Sequence, residues 1–128
     1  MITYLLVALG SALGGTFRYW LSGLIAAWAG GGFPWGTLVV NISGSFIIGF
    51  FAVVTGPDGR YFVPGEWRQF LMAGICGGYT TFSSFSFQTM TLAQDGNWFG
   101  AGLNVGLSIF FCLLGVWLGS ASALALSK

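Results

Sequence analysis

Charge is what this chain has least of. Only 5% of its 128 residues are Asp, Glu, Lys or Arg, and histidine is absent. Soluble domains carry roughly 25% charged residues, so a surface wetted all round is excluded and an integral membrane protein is indicated. The acids are confined to Asp58, Glu66 and Asp95, in loops or at the ends of apolar runs. Without histidine or a buried carboxylate, the chain lacks the usual groups for hydrolysis or a proton relay. No glycine pattern for nucleotide phosphates follows a strand, and no enzyme is expected. A net charge of +1 leaves no basic face for nucleic acid. The two cysteines, Cys76 and Cys112, sit inside apolar runs. That argues against a disulfide framework and for small packing side chains.

What is abundant is apolar surface, at 55% of residues. It falls into four runs at about 2–28, 35–55, 67–93 and 98–126, each long enough for a bilayer that ~20 helical residues can cross. The expectation is an all-α membrane protein, residues 1–128 forming a single domain of four spans. Ala27-Trp28-Ala29 resembles a signal-peptide cleavage site, but no cation precedes the apolar start and Arg18 interrupts it, so the first run reads as a retained helix. The loop from Gly56 to Glu66 holds most of the charges and lies in water. Arg60, Arg68 and Lys128 fall on that side of the membrane, against Asp95 and, if it counts, Arg18 on the other. So weak a bias is compatible with insertion both ways.

Polar residues inside the runs are few and patterned. Gly10 and Gly14 have the small-xxx-small spacing of close helix contact. Arg18 continues that side and is either a snorkelling anchor or a fixed charge drawing anions towards a vestibule. Thr37, Asn41 and Ser45 line one face of the second run at steps of four, and Asn104, Ser108 and Cys112 do so in the fourth. Asn41 would either join helices by hydrogen bonding or line a pore.

The third run breaks its own rule. Gly77-Gly78, Thr80-Thr81 and the serines at 83, 84 and 86 are poor interior helix residues, and the helix is expected to break near Gly77–Thr81. Irregular backbone at membrane depth is tolerated only inside protein or beside a cavity, which makes the break a candidate site. Carbonyls freed around Gly77 to Thr80 would suit a hard alkali cation, but one chain supplies too few and two copies would be needed. Phe82 and Phe85, three apart, share a face. They are either packing residues or rings presenting positive edges to an anion. The intramembrane donors are neutral: Asn41, Asn104, Thr37, Ser83, Ser84, Ser108 and Gln88. Such donors suit an anion that must shed water and still leave.

The string Gly77-Gly78-Tyr79-Thr80-Thr81-Phe82-Ser83-Ser84-Phe85-Ser86, with Gly36-Thr37-Leu38-Val39-Val40-Asn41 and the glycine-rich first run ending in Arg18, resembles the Fluc (CrcB) fluoride channels of bacteria along the whole chain. The resemblance implies an antiparallel, dual-topology homodimer in the bacterial inner membrane, with two fluoride pores along the subunit interface. It implies that Phe82 and Phe85 present ring edges to fluoride and that Asn41 donates to it. Ser83, Ser84, Ser108 and Thr37 are similar to the hydroxyl tracks, and Arg18 to a vestibule arginine. Carbonyls of Gly77 and Thr80 resemble those holding a structural Na+ on the dimer axis. Two positions depart from the pattern: Gln88 stands where many members have Glu, and Cys112 where serine is common. Tyr79 is a large residue in mid-motif whose consequence is open. The function implied is passive fluoride export. Its rivals are a small multidrug-type exporter, which would want an acid deep in a helix where Glu66 is not, and a membrane assembly factor.

Overall fold

A computed structural model describes residues 1–127, so Lys128 and its part in the charge tally lie outside the described residues. Every regular element among them is helical. Helix α1 spans Ile2–Ala29 and α2 Trp35–Val54. A third, interrupted stretch follows: α3 (Gly65–Gln69), a π-helical segment (Phe70–Cys76), α4 (Gly77–Tyr79) and α5 (Phe82–Gln94). Helix α6 spans Trp98–Leu126.

The ends follow local chemistry. Gly30 at φ 85° closes α1, its N–H bonding Ala26 O at 2.9 Å; a positive φ is cheap only for glycine. Asn97 caps α6 by accepting from Gly100 N–H at 2.9 Å. Two arginines cap helix ends that expose carbonyls. Arg68 donates to Ala52 O at 3.0 Å and to Thr55 Oγ1 at 3.1 Å at the end of α2. Arg60 donates to Leu126 O at 2.9 Å at the end of α6.

The packing is inside-out relative to a soluble protein. Buried positions are mainly small or polar, as in α6, where they are Gly100, Ala101, Asn104, Ser108, Gly115, Gly119 and Ala123. Large apolar side chains point outward, and Leu5, Leu9, Leu13 and Phe17 form an exposed stripe along α1. That distribution suits an apolar solvent, where close backbone contact rather than water exclusion joins helices. Helices α2 and α6, both of mean hydropathy 2.1, are long and apolar enough to cross a membrane.

Two glycine seams hold the helices. Along α2–α6, a Cβ on Gly49 would lie 2.5 Å from Val116 O, and one on Gly119 would strike Phe46 O. Along α1, a Cβ on Gly10 would lie 2.7 Å from Phe70 O, and one on Gly14 would strike Ile75 O. The spacing of Gly10 and Gly14 thus marks a close contact, and its partner is the π-helical segment. Nothing in the residue propensities called for a π-helix there.

The break sits at the far edge of the expected window. Gly77, Gly78 and Tyr79 remain helical, while Thr80 (φ −85°, ψ 155°) and Thr81 (φ −149°, ψ 116°) are extended. The glycines serve contact instead: a Cβ on Gly78 would lie 2.6 Å from Ser11 O in α1. Two β-branched residues with side-chain hydroxyls carry the interruption, because those hydroxyls can replace helical bonds locally.

Candidate functional site

At an interruption, each main-chain group needs a partner. Thr81 N–H, which a continuous helix would direct to Gly77 O, bonds Asn41 Oδ1 at 2.8 Å. Ser84 N–H, which would have reached Thr80 O, bonds Thr81 Oγ1 at 3.1 Å, so Thr81 is the N-cap of α5. Gly77 O and Thr80 O therefore lose their helical donors, and these are the two oxygens expected to face a cation. Both belong to neutral main chain, the ligand type that hard cations accept. Among the described residues, no group of three or more His, Cys, Asp or Glu could hold a metal instead.

Asn41 completes a reciprocal pair, its Nδ2 donating to Thr81 O at 3.0 Å. Of the two roles open to it, the helix-joining one is thus filled. A second Nδ2 hydrogen is left over, because a primary amide carries two. Ser45 Oγ, one turn along α2, bonds Asn41 O at 2.7 Å.

The break opens on a groove of about 380 Å³ between α2, α5 and α6. Its lining includes Asn41, Thr80, Phe82, Phe85, Ser108 and Cys112, so six expected site residues from three parts of the sequence meet there. Ile48, Ile109 and Leu113 complete an apolar wall, and no charged side chain takes part. Phe82 is 78% exposed at the rim while Phe85 is half-buried, their ring centroids 5.4 Å apart and tilted by 49°. Neutral donors beside aromatic rings are a lining that can hold an anion weakly where a ring turns its edge inward, and a low-charge groove lets it leave.

Other expected residues lie elsewhere. Thr37 and Gln88 line a second cavity, of about 630 Å³, near the turn at Gly30–Pro34, together with Tyr19, Ser22 and Asp95. Gln88 Oε1 is buried without a protein partner, an acceptor for which water in that cavity is the natural donor. Asn104, 2% exposed, donates to Thr89 Oγ1 at 2.9 Å and joins α6 to α5 instead of lining either space. Ser83 is exposed, its hydroxyl 3.3 Å from Thr81 Oγ1, and Ser84 is half-buried; neither lines the groove or the second cavity. Arg18 is half-buried, and its Nε donates to Gly78 O at 3.2 Å. It neither snorkels freely nor lines the second cavity; it braces the turn before the break.

Reading the sequence marked Thr81 and Tyr79 without giving either a role, and missed Ser43 and Gly44. Thr81 carried a local signal, since a Thr three residues before Ser84 and ahead of a helical run is an N-cap pattern. The others gain importance only through contacts of α2 with the break.

A family profile described as "CrcB-like protein, Camphor Resistance (CrcB)" matches residues 5–120. A Rhodospirillum rubrum protein named "Fluoride-specific ion channel FluC" is 65% identical over 127 residues, covering 99% of this chain and 98% of that protein. Relatives with the same name from Paramagnetospirillum magneticum and Opitutus terrae are 62% and 56% identical, each covering 100% of this chain.

Proposed function

This chain belongs to the CrcB family, and from that premise we propose that it is a fluoride-selective channel of the bacterial inner membrane. In this reading it works as a dual-topology homodimer with two pores and lets fluoride leave the cytoplasm passively down its electrochemical gradient. The observation that carries the reading is the uncharged groove at the helix break, where Asn41, Phe82, Phe85, Ser108 and Cys112 converge.

The chemistry follows from the lining. Fluoride entering the groove exchanges water for the spare Asn41 N–H, the Ser108 hydroxyl and the rims of Phe82 and Phe85. With no cation in the lining, no step binds the ion tightly, which favours throughput. Short contacts from neutral donors favour a small anion over chloride. At the other end, Thr37 and Gln88 border a cavity roomy enough to keep the ion hydrated.

A Na+ ion fits the diverted main-chain oxygens. Gly77 O and Thr80 O of two facing copies would hold it, and when bound it would supply a fixed positive charge at the break. The exposed apolar face of the single chain, including Leu5, Leu9 and Leu13, is consistent with cover by lipid and a second copy.

Efflux from proteoliposomes loaded with fluoride, read by a fluoride electrode with chloride as the competing anion, tests the reading. Fluoride should escape and chloride should be retained. Phe82→Ile and Phe85→Ile should abolish efflux without dissociating the dimer. Proton-coupled transport of an organic cation, or no flux at all, would refute it.

A further inference from the structure

Three consecutive residues at the break are each fixed by α2. Thr81 is held by Asn41 through its N–H and its C=O, one from each flanking peptide. Thr80 places its methyl where a Cβ on Gly44 would collide with it. Tyr79, the last helical residue before the break, is only 7% exposed, and its hydroxyl lies 2.8 Å from Ser43 Oγ. The Tyr79 ring occupies a slot between two helices. A Cβ on Gly44 would lie 3.0 Å from its Cδ2, and the Phe17 ring of α1 is 5.7 Å away at 34°. Across the slot, a Cβ on Gly14 would lie 2.9 Å from Tyr79 N.

We infer that Tyr79 is a positioning residue for the fluoride pathway, its hydrogen bond to Ser43 setting the rotation of the last turn before the break. The inference rests on the channel reading above. Rotation about α4 decides where the peptides of Thr80 and Thr81 point, and hence how Phe82 is presented two residues later. Asn41 holds the two peptides that flank Thr81 and bonds nothing in the helical turn before them. A second tether two residues away on α2, reaching the other side of the break, fixes that turn. Side chains at 41 and 43 leave α2 in different directions, so the two tethers are not redundant.

The bond has an asymmetry that makes the idea testable. Ser43 Oγ also lies 2.8 Å from Val39 O and 3.1 Å from Val40 O, so it stays bonded when Tyr79 loses its hydroxyl. The Tyr79 hydroxyl has no other partner among the described residues, and without Ser43 it is orphaned in its buried slot. An orphaned donor is worse than a bond removed from both sides.

The experiment is fluoride efflux per reconstituted dimer for the wild type, Tyr79→Phe, Ser43→Ala and the double variant, with melting temperatures in detergent alongside. Tyr79→Phe should slow efflux about fivefold, as expected for one neutral hydrogen bond. Ser43→Ala should slow it more, and the double variant should return to the Tyr79→Phe rate. A Tyr79→Phe channel with the wild-type rate, whether or not its melting temperature falls, would overturn the inference, and so would single effects that multiply in the double variant. If the wild type itself passes no fluoride, the channel reading fails first and takes this inference with it; failure in the variants alone leaves the channel reading intact.

Discussion

Replacing Asn41 by leucine removes the reciprocal amide pair and puts a larger apolar side chain of the same branching in its place. Two main-chain groups of Thr81 lose partners now at 2.8 and 3.0 Å. A buried polar group left unpaired costs about 1–3 kcal/mol, so full burial would put the loss near ~2–6 kcal/mol. Asn41 is half-buried and borders an open groove, and water reaching Thr81 brings the expectation down to about 2–3 kcal/mol. Applied to the conducting arrangement, that is roughly a 30- to 150-fold loss of flux, before counting the lost N–H donor. Asn41→Asp keeps the acceptor for Thr81 N–H but turns a second oxygen towards Thr81 O and places a negative charge beside the groove, so it should conduct no fluoride and melt below the wild type. Proteoliposome efflux and thermal melting of the same preparations check both. An Asn41→Leu protein with unaltered flux and melting temperature would refute the account of the break.

Thr81→Ala should cost about 1 kcal/mol through loss of the α5 cap, and Thr81→Ser should restore most of it, as measured by melting in detergent. Gly119→Ala places a methyl against the Phe46 carbonyl and 3.0 Å from Phe50 N; because those atoms are backbone, the α2–α6 seam must open, at about 1–3 kcal/mol, lowering the yield of folded protein. Arg68→Ala removes two bonds at the end of α2 and should lower stability by about 1–2 kcal/mol, with fluoride selectivity unchanged because Arg68 borders neither cavity.

Much of the site was legible because its residue types are costly in lipid. A threonine pair, an asparagine and a serine ladder inside apolar runs stand out whatever the fold; Asn41, Thr80, Thr81 and Ser108 do meet in one groove, whereas the ladder at 83, 84 and 86 stays outside it. What misled was proximity in sequence to glycine. Gly77 and Gly78 look like the break, yet they stay helical and serve contact with α1, while the threonines after them leave the helix. Steps of four put Asn104, Ser108 and Cys112 on one stripe, but their neighbours divide it: Asn104 meets Thr89 and the other two reach the groove.

Low charge in long apolar runs determined by itself that this chain is helical and apolar-facing, because a lone run in lipid can satisfy its own backbone polar groups only as a helix. Residue types also determined that some interruption would occur in the third run. Only the tertiary structure decided where the interruption's unpaired groups go. Asn41 lies forty positions from Thr81, and no local preference relates the two. The π-helical segment and the seat of Tyr79 are likewise set by the bare faces of Gly10, Gly14 and Gly44 on other helices, since how closely two backbones approach depends on both surfaces at once.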